Sequence, residues 1–74
     1  MKKSHPEYRA MVAALADAVT AVGGAAEMAR ILDITSQAVS SWQRCPATRV
    51  LALEKISGVS RHELRPDVFG PAEA

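Results

Sequence analysis

The sequence contains little cysteine, few aromatic residues and almost no net charge. Of its 74 residues, one is cysteine and three are aromatic, and the formal net charge is +1. The single cysteine, Cys45, excludes an internal disulfide, and His5 and His62 lie too far from it along the chain to indicate a zinc site. We therefore expect no metal or other cofactor, and one small domain that is stabilised by packing alone.

Long apolar runs and catalytic motifs are also missing. No stretch approaches the roughly 20 apolar residues that span a bilayer, and no charged segment leads into an apolar run as in a secretory signal. The sequence has no glycine-rich phosphate loop, nucleophile elbow or pair of catalytic carboxylates. Cys45 has no neighbouring histidine that would favour a thiolate, and Glu63 is better explained as a helix cap. We expect a cytoplasmic binding protein without a membrane partner, and not an enzyme.

Alanine supplies much of the apolar content, which indicates an all-α domain. Hydrophobic residues make up 49% of the chain and aromatic residues 4%, which suits short, closely packed helices better than a β-sandwich. One domain is predicted over residues 1–74, with its core at about 5–69 and frayed ends at 1–4 and 70–74. The first helix is predicted from about residue 5, because Ser4-His5-Pro6-Glu7 matches a capping box, to Gly23-Gly24. Its apolar stripe recurs at three- and four-residue steps: Tyr8, Met11, Leu15, Val19 and Val22.

Two short helices and a tight turn come next. The second helix is predicted for Ala25–Leu32, followed by a turn at residues 33–35 in which Asp33 takes the left-handed conformation. Thr35 is a good N-cap for a third helix, which is predicted to run from Ser36 to about Arg44. The proline of Cys45-Pro46 ends that helix.

Two more helices are predicted in the last third of the chain. Pro46 opens a fourth helix at about Ala47 to Ser57, and Gly58 ends it. A second capping box, Ser60-Arg61-His62-Glu63, opens a short fifth helix that Pro66 halts. The apolar residues near this helix are predicted to fold back onto the core: Leu64, Val68 and Phe69.

The third helix is predicted to have one apolar side that packs against the core and one polar side that faces solvent. At about 100° per residue, Val39 and Trp42 share the side that faces the core, so a structural role is predicted for Trp42. Four polar residues share the opposite side: Gln37, Ser40, Ser41 and Arg44. A glutamine amide can pair with adenine N6 and N7, and an arginine can pair with guanine O6 and N7 or bind phosphate. This stripe therefore suits the major groove of DNA.

The positive charge is concentrated in the same part of the chain. Residues 28–65 hold six basic and three acidic side chains. In residues 1–27 the basic and acidic side chains are equal in number, and the residues after Arg65 hold two acidic side chains. Lys55 and Arg61 can be read equally as solvated charges or as phosphate contacts. Arg49 is slightly favoured as a phosphate contact, because the N-terminus of the fourth helix attracts anions.

Two stretches carry a resemblance to a known family. E-M-A-R-I-L-D-I-T-S-Q-A-V-S-S-W resembles the helix-turn-helix of Cro/cI-type phage and bacterial repressors, although Asp33 stands where such turns usually have glycine. The sequence from Cys45 onward, including R-H-E-L-R-P-D, is similar to the C-terminal half of YdaS-type Cro-like proteins, so the resemblance covers about residues 10–70. It implies a five-helix, lambda-repressor-like domain, often a phage-derived regulator and sometimes encoded with a toxin. By position it implies a DNA-contacting set: Thr35, Ser36, Gln37, Ser40, Ser41 and Arg44.

The expected function is a sequence-specific, double-stranded DNA-binding regulator, a Cro-like repressor that reads the major groove with residues 36–44. One short helix makes few base contacts, so a homodimer on a palindromic operator is expected, with half-sites about 34 Å apart. Arg49 joins the predicted contact set as a phosphate ligand. The alternative is an antitoxin-type interaction module, in which the same face or the segment Val59–Phe69 binds a protein partner such as a toxin.

Overall fold

The computed structural model describes residues 5–70, and within that range all regular secondary structure is helical, which confirms the all-α prediction. A 3₁₀ turn at Ala47–Arg49 precedes the fourth of six helices: α1 (Pro6–Ala21), α2 (Ala25–Leu32), α3 (Ser36–Ser41), α4 (Val50–Ser57), α5 (Arg61–Leu64) and α6 (Pro66–Phe69). The predicted count of five helices is wrong by one. Pro66 does end α5, but it also begins α6, because proline is tolerated at a first helical position, where the N–H has no helical partner.

Helix α1 is the long element on which the other helices are assembled. Its N-cap is His5, whose Nδ1 accepts a hydrogen bond from the Glu7 N–H at 3.1 Å. The predicted cap Ser4 and the predicted frayed residues 1–4 and 71–74 lie outside the described range. Gly70, which was predicted to fray, caps α6: its N–H donates to the Pro66 carbonyl at 2.9 Å, and its own carbonyl lies 3.0 Å from His62 Nδ1.

The core lies between α1 and the remaining helices. Helix α1 packs against α2, α4 and α5, and alanines at its contact face allow the helix axes to approach closely. The buried residues come from every part of the fold except the 3₁₀ turn and α6: Met11, Ala14, Leu15, Ala18, Met28, Ala29, Val39, Cys45, Val50, Leu53 and Leu64.

The C-terminal segment follows the prediction only in part. Leu64 is fully buried and Phe69 packs against the core, as predicted, but Val68 remains 51% exposed. Helix α6 has a single turn. On either side of Val68, Asp67 is hydrogen-bonded to Arg65 and Phe69 packs against the core. Val68 therefore points outward.

No single helix within residues 5–70 is long and apolar enough to cross a membrane. Helices α1 and α2 reach that length and apolarity only when taken together, and they are bent by 81° at the break between them.

Candidate nucleic-acid interface

The turn between α2 and α3 fixes the angle at which α3 leaves the core. Asp33 has φ 58° and ψ 47°, the left-handed conformation that was predicted for it. Its N–H donates to the Arg30 carbonyl at 3.3 Å, and the Ile34 N–H donates to the Ala29 carbonyl at 2.9 Å. These two bonds form a Schellman motif, which satisfies the last carbonyls of α2. Ile34 packs against the core beside them, so the turn is held by hydrogen bonds and by packing.

Thr35 begins α3 as predicted. Its backbone is extended, with φ −78° and ψ 152°, and its Oγ1 accepts a hydrogen bond from the Ala38 N–H at 3.1 Å. Val39 is buried on the opposite side of the helix, and α3 packs mainly against α2. A helix of six residues is too short to be stable alone, so the cap and the buried valine hold it in place.

The outer face of α3 consists of small or flexible polar side chains. We call it the reading face, and it comprises four exposed residues: Ser36, Gln37, Ser40 and Ser41. Within the described part of the chain, no hydrogen bond involves the side chains of Ser36, Gln37 or Ser40. Ser41 Oγ donates to the Ala38 carbonyl at 2.8 Å, so this hydroxyl presents acceptor lone pairs while its proton is occupied.

The predicted end of α3 at Arg44 is wrong. The helix ends at Ser41, and Trp42 already has an extended backbone, with φ −70° and ψ 133°. Trp42 packs against the core, as predicted, and Cys45 is fully buried. The chain leaves the helical path at Trp42, and residues 43 and 44 then lie against Tyr8 of α1. As a result Arg44 does not lie on the reading face.

Tyr8, near the start of α1, contacts both residues that follow Trp42. Its O–H donates to Gln43 Oε1 at 2.6 Å, and the Arg44 guanidinium carbon lies 5.1 Å from the centre of its ring. Arg44 Nη1 also lies 3.4 Å from Asp67 Oδ2 and 3.8 Å from Met11 Sδ. Arg44 retains only 29% of its side-chain exposure, so much of this arginine is held against the protein.

Arg65 closes the same region from the C-terminal side. Its Nε and Nη2 donate to the two oxygens of Asp67 at 2.9 and 2.7 Å, and its Nη1 donates to the Cys45 carbonyl at 3.0 Å. The hydrogen bond from Arg65 holds the pKa of the Asp67 carboxyl below its ordinary value. We call the five side chains that meet here the exit network: Tyr8, Gln43, Arg44, Arg65 and Asp67. Sequence reasoning missed it, although the spacing of Arg65-Pro66-Asp67 was a usable signal.

Cys45 lies beside this network, and its side chain is fully buried. Burial raises the pKa of its thiol to about 11, which disfavours the thiolate that a nucleophile or metal ligand requires. No group of three histidine, cysteine or acidic residues within residues 5–70 is placed to hold a metal ion.

Three further cations were considered as phosphate contacts, and they stand on different elements of the fold. Arg49 ends the 3₁₀ turn and is the N-cap of α4, so the predicted regular helix from Ala47 is wrong in its first turn. Arg61 pairs with Glu54 at 3.9 Å and lies over the ring of Phe69 at 6.0 Å. Lys55 is exposed on α4.

One of three comparisons with known proteins found a match. A family model described as "Bacterial toxin YdaS" matches residues 15–73. The comparison with curated proteins and the comparison with solved structures gave no match. The matched region includes the turn, the reading face and four members of the exit network, and it leaves out residues 1–14, Tyr8 among them, and residue 74. Because the match extends over most of the sequence, this chain belongs to the YdaS family.

Proposed function

We propose that this protein is a sequence-specific, double-stranded DNA-binding transcriptional regulator that acts as a Cro-like repressor by occupying a promoter. The observation that carries the proposal is the reading face, whose polar side chains are exposed on a helix that is anchored from behind by Val39. Gln37 supplies a donor and an acceptor for an adenine edge, and the three serines are short enough for the helix to approach the groove closely.

Affinity for DNA requires cations as well as a reading surface. Arg49 stands at the N-terminus of α4, where backbone N–H groups also favour phosphate, and Arg44 follows shortly after the last residue of α3. Thr35 and Ser36 open α3 and can donate to phosphate or bases. A single α3 makes few base contacts, so we propose that two protomers bind a palindromic site with half-sites about 34 Å apart.

The role that we propose is not enzymatic. The one cysteine is buried and its pKa is raised, which supports a packing role over a catalytic one. His62 lies against the Gly70 carbonyl, and Glu63 on the same helix is exposed, so these two residues do not form a shielded acid–base pair.

A salt-dependent titration tests the proposed function. Fluorescent duplexes are prepared from the region upstream of the protein's own gene and from a scrambled sequence of the same composition. We expect binding to the upstream DNA to be at least about 10³-fold tighter than binding to scrambled DNA at physiological salt, and both affinities to fall with added salt. Equal affinity for the two duplexes across the salt series would overturn sequence-specific binding.

A second candidate is a protein-interaction module of a toxin–antitoxin pair. The description of the matching family names a toxin, and Val68, in the segment Val59–Phe69, exposes half of its apolar side chain. This candidate predicts a stoichiometric protein partner that co-purifies with the chain, and DNA binding no tighter than non-specific. Val68→Asp would then abolish the complex, because it introduces a charge into an apolar contact.

A further inference from the structure

We propose that Tyr8 is a positioning residue that holds Gln43 and Arg44 as donors to the DNA backbone beside the reading face. The inference rests on the proposed function and adds a role for a residue that lies outside the family match. Tyr8 was predicted only as part of the apolar stripe of α1. In the structure Tyr8 is half-buried. Its hydroxyl binds Gln43 and its ring contacts Arg44, and both residues belong to the segment that follows α3.

The hydroxyl of Tyr8 sets the orientation of the Gln43 amide. Because the Tyr8 O–H donates to Gln43 Oε1 at 2.6 Å, the acceptor end of the amide is occupied and the NH₂ end remains available. Gln43 is exposed and directly follows Trp42. An exposed donor that is already oriented loses less rotational freedom when it binds a phosphate oxygen than a free side chain does.

The ring of Tyr8 holds Arg44 in a position where its charge is only loosely paired. Asp67 is bound by Arg65 through two bonds of 2.9 and 2.7 Å, whereas its distance to Arg44 is 3.4 Å. Arg65 and Asp67 therefore neutralise each other, and the cluster retains the positive charge of Arg44. An anion can approach that charge without breaking the stronger pair, and a backbone phosphate of DNA is the anion that the adjacent reading face would bring to it.

The two contacts of Tyr8 can be removed separately. Tyr8→Phe removes the hydroxyl and retains the ring, whereas Tyr8→Leu removes both. Phe69→Leu is a matched control, because Arg61 lies over the Phe69 ring as Arg44 lies over that of Tyr8, and Arg61 stands on α5, which packs against α1, α4 and α6. Thermal unfolding of each variant establishes that it is folded at the temperature of the binding assay.

The first measurement uses the protein without DNA. Side-chain relaxation by NMR reports the order of the Gln43 amide and of Arg44 Nε. We expect both groups to be ordered in the wild-type protein, the Gln43 amide to become mobile in Tyr8→Phe, and both to become mobile in Tyr8→Leu. Unchanged order in both variants would overturn the positioning role, whether or not the protein binds DNA.

The second measurement is the salt dependence of DNA binding. Tyr8→Leu should weaken binding to operator and scrambled DNA alike by about 3- to 10-fold and lower the salt slope by about 0.9, the value for one lost phosphate contact. Tyr8→Phe should weaken binding by about 2- to 5-fold at an unchanged slope, and Gln43→Ala should add no further loss to it. A wild-type slope in Tyr8→Leu, or an equal fall in Phe69→Leu, would overturn the phosphate role. Absence of DNA binding by the wild-type protein would overturn the proposed function and the phosphate role together, and the NMR result would still decide the positioning role.

Discussion

The reading face and the exit network adjoin along the chain and differ in almost every physical respect. The four side chains of the reading face are exposed and make one side-chain hydrogen bond among them, from Ser41 to its own helix. The five side chains of the exit network bind one another across long sequence separations, among them the 35 residues between Tyr8 and Gln43. Exposed polar residues without partners contribute little to folding, whereas linked polar groups stabilise a fold together. The reading face is therefore available to a ligand, whereas the side chains of the exit network are engaged in contacts within the protein.

The largest expected effect is on the exit network. Arg65→Ala removes both bonds to Asp67 and the bond to the Cys45 carbonyl, and leaves the carboxylate with the longer contact of 3.4 Å to Arg44. The side chain of Arg65 is only 12% exposed, so we expect the free energy of unfolding to fall by about 3 kcal/mol. Urea denaturation measures this loss.

Arg30→Ala is the control for that experiment. Arg30 also pairs with a carboxylate, that of Glu27 on the same helix, but this pair is exposed to solvent. We expect no measurable change in stability, since exposed ion pairs contribute little. Equal losses in the two variants would show that the exit network has no special role in stability.

The next largest effect is a loss of stability at alkaline pH. The pKa of Cys45 is about 11 in the folded protein against an ordinary value of 9.0, so the folded state retains its proton longer than the unfolded state. This contribution to stability is fully present below pH 9 and is lost as the pH rises toward 11, by about 2–3 kcal/mol in all. Urea denaturation at pH 8, 9, 10 and 11 measures the loss, and Cys45→Ala isolates it. Parallel curves for the wild type and the variant would contradict the prediction.

Substitution on the reading face should change DNA binding and leave stability almost unchanged. Gln37→Ala is expected to leave the free energy of unfolding within about 0.5 kcal/mol of the wild-type value. It should reduce discrimination between operator and scrambled DNA by about 1–3 kcal/mol, the contribution of one bidentate pairing to a base. Binding titrations and urea denaturation of the same preparation test both statements. An unchanged ratio of the two affinities would remove Gln37 from the set of base contacts.

Arg49 lies outside both regions, and its effect should be the smallest. Arg49→Ala should weaken binding to every DNA sequence by a similar factor and reduce the salt slope by about 0.9, without changing discrimination. Lys55→Ala, at an exposed position of α4, is the comparison variant. If Lys55→Ala lowers the slope and Arg49→Ala does not, the phosphate contact belongs to Lys55.

Local sequence signals account for the part of the fold that precedes the reading face. The bounds of α2, the left-handed Asp33 and the Thr35 cap follow from preferences of single residues and their immediate neighbours. The glycine that ends α4 follows in the same way. Such signals act within one turn of helix, so the sequence was sufficient to predict them.

The exit network was not predictable in this way, because its contacts join distant residues. The residues that follow α3 contact Tyr8, which lies 35 residues before Gln43. Helical periodicity carries no information about such a contact, and it predicted that the helix continues to Arg44. The prediction that Pro66 only halts a helix overlooked its suitability for the first position of the next one. Of the predicted DNA contacts, Arg44 is the residue whose position changed most, from the polar stripe of α3 to a site between Tyr8 and Asp67.

The most direct test of the reading face is a titration of isotopically labelled protein with its preferred duplex, followed by NMR. The account predicts that the largest backbone shift changes fall on residues 35–41, with smaller changes at residues 43, 44 and 49, and that α5 and α6 are little affected. Changes concentrated on residues 59–69, with residues 35–41 unaffected, would contradict binding through the reading face and place the binding surface on the segment 59–69.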